Sequence, residues 1–166
     1  MREDQVYVLA KRGLVLSGWT VLAGQPPRGT NHLPVVEIKD PLRSGKGSGG
    51  AYKPDLVAWF PPHHLLIVEC KPQRDDSDAA KLRAILGDID RQRELWEEIV
   101  QRGLLRRADI EAPAFKAVHF LGALAHGSGT MSPMPDLGVI ICKACANGVA
   151  WLPALAWPPS LVSSLP

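Results

Sequence analysis

Two carboxylates and a lysine stand close together along an otherwise apolar part of the chain. Asp55 follows Lys53-Pro54, and Glu69 and Lys71 end the apolar run 65–68. Because Glu69 and Lys71 are two residues apart, they project from the same face of a strand. A carboxylate and an ammonium at the end of such a strand are costly to bury unless they pair or bind something. We therefore expect Asp55, Glu69 and Lys71 to form one site.

The chemistry that this site predicts is metal-assisted hydrolysis of a phosphodiester bond. Two carboxylates at one point offer Mg²⁺ the hard oxygen ligands it prefers, and the backbone carbonyl of Cys70 can add another. A bound ion polarises a phosphoryl oxygen and helps to generate hydroxide from water. Lys71 would position that water or stabilise charge on the transition-state oxygens. The expected cofactor is Mg²⁺, with Mn²⁺ able to substitute.

The hairpin between these residues imposes a condition on the site. Residues 55–60 and 65–71 are two apolar runs of strand length, separated by Pro61-Pro62-His63-His64. A four-residue loop would place Asp55 opposite Cys70, and so on a different face from Glu69. The hypothesis therefore requires an odd loop length or a β-bulge.

A structural role for the same residues is the alternative. Asp55 would then cap a turn after Pro54, while Glu69 and Lys71 would form a surface ion pair. A second triplet of this kind, Glu37-Ile38-Lys39, lacks a Pro-Asp pair upstream. We interpret that triplet as part of a surface strand.

The elements that must position the site follow from periodicity and breakers. We predict a short helix over 3–12 ended by Gly13, strands over 19–22 and 33–39, the hairpin, and one long helix that follows the capping residues 75–78 and runs to about Gln101. Strands over 115–124 and 137–142 come next, and the Pro-rich apolar tail 151–166 is expected to be irregular. This order predicts a single α/β domain over 1–166 with a mixed central sheet flanked by helices.

The Pro54-Asp55 and Glu69-x-Lys71 motifs and their context resemble the PD-(D/E)xK nuclease superfamily over roughly residues 3 to 125. The resemblance implies a restriction-endonuclease-like core in the order α-β-β-β-α-β, similar also to Holliday junction resolvases. It further implies that Asp55 and Glu69 are metal ligands and that Lys71 is the catalytic lysine. Glu3 is the best match to a glutamate that the family often carries on its first helix. The alternative for Glu3 is electrostatic stabilisation of the helix N-terminus.

Two further features match parts of that family. Gln92 and Trp96 have the spacing of a glutamine and an aromatic residue on the helix after the lysine, so Gln92 is a candidate for lining the site, and Trp96 is assigned to the core. The basic glycine-rich loop 43–50 resembles the loop that precedes the Pro-Asp strand in junction resolvases. The residues expected to contact a DNA backbone are Arg28, Arg43, Lys46 and Lys53.

Composition places the chain among ordinary globular proteins. It has 166 residues, 46% hydrophobic and 22% charged, with a net charge of +2. No apolar run is long enough for a membrane span, the N-terminus lacks the apolar stretch of a signal peptide, and a cytoplasmic protein is expected. Three cysteines fit a reducing compartment. Cys142 and Cys145 are interpreted as buried or free thiols, because a zinc site would need two more ligands at clean spacing.

The function predicted from these features is that of a magnesium-dependent endonuclease acting on duplex or branched DNA. Alternatives are an RNA nuclease, or a non-catalytic nuclease-fold protein that binds nucleic acid or a protein partner. Because cutting both strands needs a second active site, a homodimer is a further expectation. The apolar tail is expected to dock on its own domain or to form such a dimer contact.

Overall fold

A computed structural model describes residues 1–27, 32–39, 51–73, 75–127, 132–143 and 148–163. These residues form a mixed α/β fold around one six-stranded sheet, in agreement with the predicted class. The strands are β1 Thr20–Gly24, β2 Leu56–Phe60, β3 His64–Lys71, β4 His119–His126, β5 Gly138–Lys143 and β6 Gly148–Leu152. The α helices are α1 Glu3–Leu16, α2 Asp76–Leu86, α3 Ile89–Gln101 and α4 Pro159–Val162. Within the described residues, no helix is both long and apolar enough to cross a membrane.

The strands lie in the sheet in chain order, and the sheet is mixed. β3 pairs in parallel with β4 and β4 in parallel with β5, while the other neighbours are antiparallel. The crossover from β3 to β4 is made by α2 and α3. A strand that forms parallel pairs between helical layers is typically apolar on both faces, and β3 is buried along almost its whole length.

Alternate residues of β3 face two different cores. Leu65 and Ile67 belong to the cluster that includes the buried faces of α2 and α3. Leu66 and Val68 belong to the cluster that includes the buried face of α1. Because side chains alternate along a strand, Glu69 continues the face covered by α2 and α3.

The first helix is longer than predicted, because Gly13 lies inside it. A Cβ at position 13 would stand 2.4 Å from Cγ2 of Val149, so the glycine allows β6 to approach the helix. The helix ends instead at Leu16, and Ser17 is its C-cap. Gly18 follows with a positive φ of 82°, a conformation that favours glycine.

The predicted single long helix is in fact two helices. α2 ends at Gly87, and the carboxylate of Asp88 caps α3 by accepting hydrogen bonds from the N–H groups of Asp90 and Arg91. The aspartate restarts the helix because it satisfies N–H groups that have no partner in a first turn.

Two other predictions about the elements were wrong. In the segment 33–39, Ile38 forms an isolated bridge with Tyr52 and no strand is present in the described part. The tail is partly regular, since β6 reaches Leu152 and α4 follows.

The described part of the tail docks on its own domain. Trp151, Ala154, Trp157 and Leu161 are buried in the core cluster on the α1 face of the sheet. The ring of Trp157 lies over Gly138, where a Cβ would stand 2.6 Å from two ring carbons. Leu155, by contrast, is 82% exposed.

The contact between Gly13 and Val149 gives a test of this arrangement. We expect Gly13→Ala to destabilise the protein by about 1–3 kcal/mol, the usual range for overpacking. In a Val149→Ala background the same substitution should become neutral or stabilising, because alanine is the better helix former by about 1 kcal/mol. Urea unfolding of the wild type, the two single variants and the double variant measures the effect of Gly13→Ala on the free energy of unfolding in each background. A Gly13→Ala protein that is as stable as the wild type would contradict the close approach of β6 to α1.

Candidate active site

The hairpin register brings the two predicted carboxylates to the same place. Phe60 pairs with His64 and Leu56 pairs with Val68, so the connecting turn has three residues. Continued by one step, this register places Asp55 opposite Glu69. His64 belongs to β3 rather than to the loop, and the odd loop length that the hypothesis required is therefore present without a bulge between β2 and β3.

Asp55 is held in place by two hydrogen bonds. Its Oδ2 accepts a hydrogen bond of 2.7 Å from the N–H of Cys70 on β3. Its backbone carbonyl accepts one of 3.0 Å from the N–H of Gln25, just after β1. A Cβ at Gly24 would stand 3.0 Å from that carbonyl oxygen and 2.5 Å from Oη of Tyr7 on α1. The glycine at the end of β1 therefore allows the close approach that positions Asp55.

Lys71 and Glu3 form an ion pair across the end of the sheet. Lys71 is the last residue of β3, and its Nζ lies 2.9 Å from Oε1 of Glu3 in the first turn of α1. Both side chains are about one third exposed. The contact joins Glu3 and Lys71, the glutamate and the lysine that the sequence predicted for the site. Glu3 also acts electrostatically on Asp55, whose pKa it helps to raise.

Burial makes both central carboxylates reluctant to ionise. Burial, together with the neighbouring charges of Asp55 and Asp78, raises the pKa of Glu69 to about 8. Burial also raises the pKa of Asp55 to about 6, against the hydrogen bond from Cys70 and the charge of Lys71. Without a bound cation, the pair therefore retains a proton near neutral pH, mainly on Glu69. A cation between the two carboxylates would replace that proton.

Asp78 and Lys81 are members of this cluster that the sequence interpretation missed. Asp78 is only 1% exposed and forms an ion pair with Lys81 one turn further along α2. Asp78 raises the pKa of Glu69 and Lys81 lowers it. The run 75–78 was interpreted only as capping residues, but the cap is Asp75, which accepts from the N–H of Ser77. Asp78 lies four residues before Leu82 and seven before Ile85, so helical spacing places it on the buried face of α2, and this spacing was the available signal.

His126 is a third residue that the sequence interpretation left out of the site. It ends β4 and is paired in register with Lys71. The side chain is 3% exposed. Partners in neighbouring strands project from the same face, so an imidazole lies beside Lys71 at the edge of the cluster.

Other predicted residues lie in different surroundings. The amide of Gln92 donates a hydrogen bond of 2.6 Å to the carbonyl of Leu86, so it closes the turn between α2 and α3. Trp96 packs against Trp59 in the core, as expected. Lys53 forms an ion pair of 2.7 Å with Glu37. Arg28, Arg43, Lys46 and Cys145 lie outside the described residues.

The thiols of Cys70 and Cys142 are both buried. Cys70 lies between Glu69 and Lys71 at the end of β3, and burial raises the pKa of its thiol well above the usual value. Burial also raises the pKa of Cys142 to about 12. Both side chains therefore stay protonated. At this site Cys70 can offer its backbone carbonyl as a ligand, as predicted, but not a thiolate.

Asp55 and Glu69 could hold a metal ion, but without the further side-chain ligands of a full protein cage. Among the residues that the structure describes, no group of three or more His, Cys, Asp or Glu side chains is arranged to hold a metal ion. Mg²⁺ keeps several waters and commonly binds through one or two carboxylates. Asp55 and Glu69, on opposite strands of one hairpin, match that requirement.

No protein-family model matches this chain, and no curated protein or solved structure is significantly similar to it. What the site can do therefore follows only from its own residues.

The raised pKa values predict how stability changes with pH. Both carboxyls have folded-state pKa values above their ordinary values of 3.8 and 4.5, so the native state holds protons that the unfolded chain has released. The metal-free protein should therefore lose stability as the pH rises from about 4 to about 8. We expect Glu69→Gln to remove much of this loss and to stabilise the protein at pH 8 by about 1–3 kcal/mol, since a tenfold change in proton affinity is worth about 1.4 kcal/mol.

Urea unfolding in EDTA at pH 5 and pH 8 measures this effect. Glu37→Gln is the matched control, because Glu37 is partly exposed and paired with Lys53, and its effect should be small at both pH values. A wild-type stability that is constant between pH 5 and pH 8 would contradict the burial of the Glu69 carboxyl.

Proposed function

We propose that the protein is a magnesium-dependent nuclease that hydrolyses phosphodiester bonds in DNA. The observation that carries this proposal is the register of the central hairpin, which sets Asp55 opposite Glu69 with Lys71 two residues further on. A buried carboxylate, a second one that is partly buried and an adjacent ammonium are the parts that metal-assisted phosphodiester hydrolysis needs. An ordinary surface ion pair would not place two like charges together at a buried position.

The order of elements supports the same proposal. From α1 through β1, β2 and β3 to α2 and β4, the chain follows the order α-β-β-β-α-β expected of a restriction-endonuclease-like core. The departures are the division of the second helix by Gly87 and the addition of β5, β6 and α4. These additions lie after β4 and leave the order of the earlier elements unchanged.

In the proposed mechanism, Asp55 and Glu69 in their ionised forms would hold the metal. Bound Mg²⁺ would supply the charge that polarises the phosphoryl oxygen and activates water. The hydrogen bond to Glu3 raises the pKa of Lys71, so this side chain stays an ammonium at neutral pH. Lys71 therefore stabilises negative charge on phosphate oxygens and orients the attacking water, and it does not act as a base. Glu3 orients Lys71 through this hydrogen bond.

The central test of this proposal is cleavage by single-residue variants. In Mg²⁺ we expect Asp55→Asn and Glu69→Gln to abolish cleavage, because each removes a charged ligand. Lys71→Ala should lower kcat by about 10²–10³, the usual effect of losing one charge-stabilising group. Lys71→Arg should restore only part of the rate, because a planar guanidinium does not replace a compact ammonium.

The second Glu-x-Lys triplet provides the matched controls, since Glu37→Gln and Lys39→Ala change the same residue types and should cut at the wild-type rate. Supercoiled, linear, branched and single-stranded DNA are tested beside RNA, so that an RNA nuclease is detected as such. A wild-type protein that binds these substrates but cuts none of them in Mg²⁺ or Mn²⁺ would favour the non-catalytic alternative.

Metal binding gives a test that does not depend on activity. Because the pKa of Glu69 is about 8, Mg²⁺ must displace protons at pH 7, and its affinity should rise with pH up to about 8. Titration calorimetry in two buffers with different ionisation enthalpies measures the released protons. Glu69→Gln should lose binding, while Lys71→Ala should retain it. Binding without proton release would show that the ion is held elsewhere.

A further inference from the structure

The first turns of α2 carry an ion pair in which one partner is buried and the other is half-exposed. The carboxylate of Asp78 is 1% exposed, while the side chain of Lys81, with which it pairs, is 43% exposed. Oδ2 of Asp78 is buried and has no hydrogen-bond partner among the described residues. α2 follows β3 directly and covers the face of the sheet to which Glu69 belongs.

An ordinary helix-surface ion pair does not account for this arrangement. Such a pair has both partners in water and contributes only a few tenths of a kcal/mol. Here the carboxylate is buried near two other acids, since it raises the pKa values of both Asp55 and Glu69. A charge in that position is unfavourable for the empty site. The same carboxylate fixes the position of the Lys81 ammonium near Glu69, because it forms an ion pair with Lys81.

Charge balance indicates why the site needs this ammonium. Four carboxylates, those of Glu3, Asp55, Glu69 and Asp78, share two ammonium groups, those of Lys71 and Lys81. When all six are ionised, one divalent cation brings the cluster to neutrality. Without Lys81 the cluster would keep a net negative charge that repels a phosphate.

We propose that Lys81 is a second phosphate-contacting cation of the site, and that Asp78 is the positioning residue that holds its ammonium beside Glu69. This inference rests on the proposed nuclease function. Lys81 binds a non-bridging oxygen of the nucleic-acid backbone, while Lys71 serves the cleaved phosphate. The two lysines are held by acids from opposite helical layers, Glu3 on α1 and Asp78 on α2.

The test compares Lys81→Ala with Arg83→Ala. Arg83 is also on α2, its side chain is 47% exposed, and it is paired with Asp136 instead of an acid of the cluster. In Ca²⁺, which is used here to prevent turnover, we expect Lys81→Ala to lower the salt dependence of DNA binding by about one phosphate contact. In Mg²⁺ it should lower kcat at least tenfold. Arg83→Ala should match the wild type in both measurements.

Asp78 is tested through its coupling to Lys81. Asp78→Asn should lower kcat, and the double variant Asp78→Asn/Lys81→Ala should be no slower than Lys81→Ala alone, because the carboxylate acts through the lysine. If the losses in kcat of the two single variants instead add up in the double variant, Asp78 has only a structural role. Lys81 is half-exposed, so Lys81→Ala is expected to fold even if the Asp78 variant does not.

The outcomes separate this inference from the proposed function. If the wild type cleaves and Lys81→Ala cleaves like Arg83→Ala, the inference about Lys81 is wrong and the nuclease proposal stands. If the wild type binds DNA without cleaving it, and only Lys81→Ala flattens the salt dependence, the phosphate contact stands and the nuclease proposal is wrong. A wild type that neither binds nor cleaves nucleic acid overturns both.

Discussion

A three-residue turn between β2 and β3 sets the register of the central hairpin, and the candidate site depends on that register. One residue more or less in the turn would move Asp55 to the other face of the sheet. With the turn as it is, Asp55 and Glu69 oppose each other at the end of a strand buried on both faces. Burial limits the solvation of both carboxylates, and it is the largest cause of the rise of their pKa values to about 6 and about 8. The position favours protons or a cation, and this preference is the physical basis of the proposed metal site.

Two lysines, Lys71 at the end of β3 and Lys81 on α2, place positive charge beside the carboxylates. Lys71 is held by Glu3 at the start of α1, and Lys81 is held by Asp78 at the start of α2. In both pairs an acid near a helix N-terminus, where negative charge is favoured, fixes a lysine at the edge of the site. The fold places α1 closely enough for this contact, because Gly13 and Gly24 allow backbone approaches that a Cβ would block. Stability and the proposed activity therefore depend on the same helix–sheet contacts.

Local sequence patterns predicted the element types well and their boundaries less well. The apolar runs on either side of Pro61-Pro62 were correctly assigned as strands, since their hydrophobicity is continuous and the breaker is strong. Gly13 is a residue type that often ends a helix, but in this protein it lies inside α1 and makes room for Val149. Asp88 lies within the single helix that the sequence predicted, but in the structure it caps a new helix. In each case the residue type is compatible with two roles, and only the neighbouring element decides between them.

The sequence by itself determined which residues of β3 share a face, because the period of a strand is independent of the rest of the fold. It also determined that Glu69 and Lys71 end a buried strand, since the apolar run before them is unbroken. Only the tertiary structure decided that Asp55 lies opposite Glu69, because that register depends on where the turn ends. It also decided that Lys71 reaches Glu3, that His126 lies beside it, and that Asp78 is buried with Lys81 near Glu69. These contacts join residues on separate elements, and no local periodicity encodes the distance between elements that meet only when the core is packed.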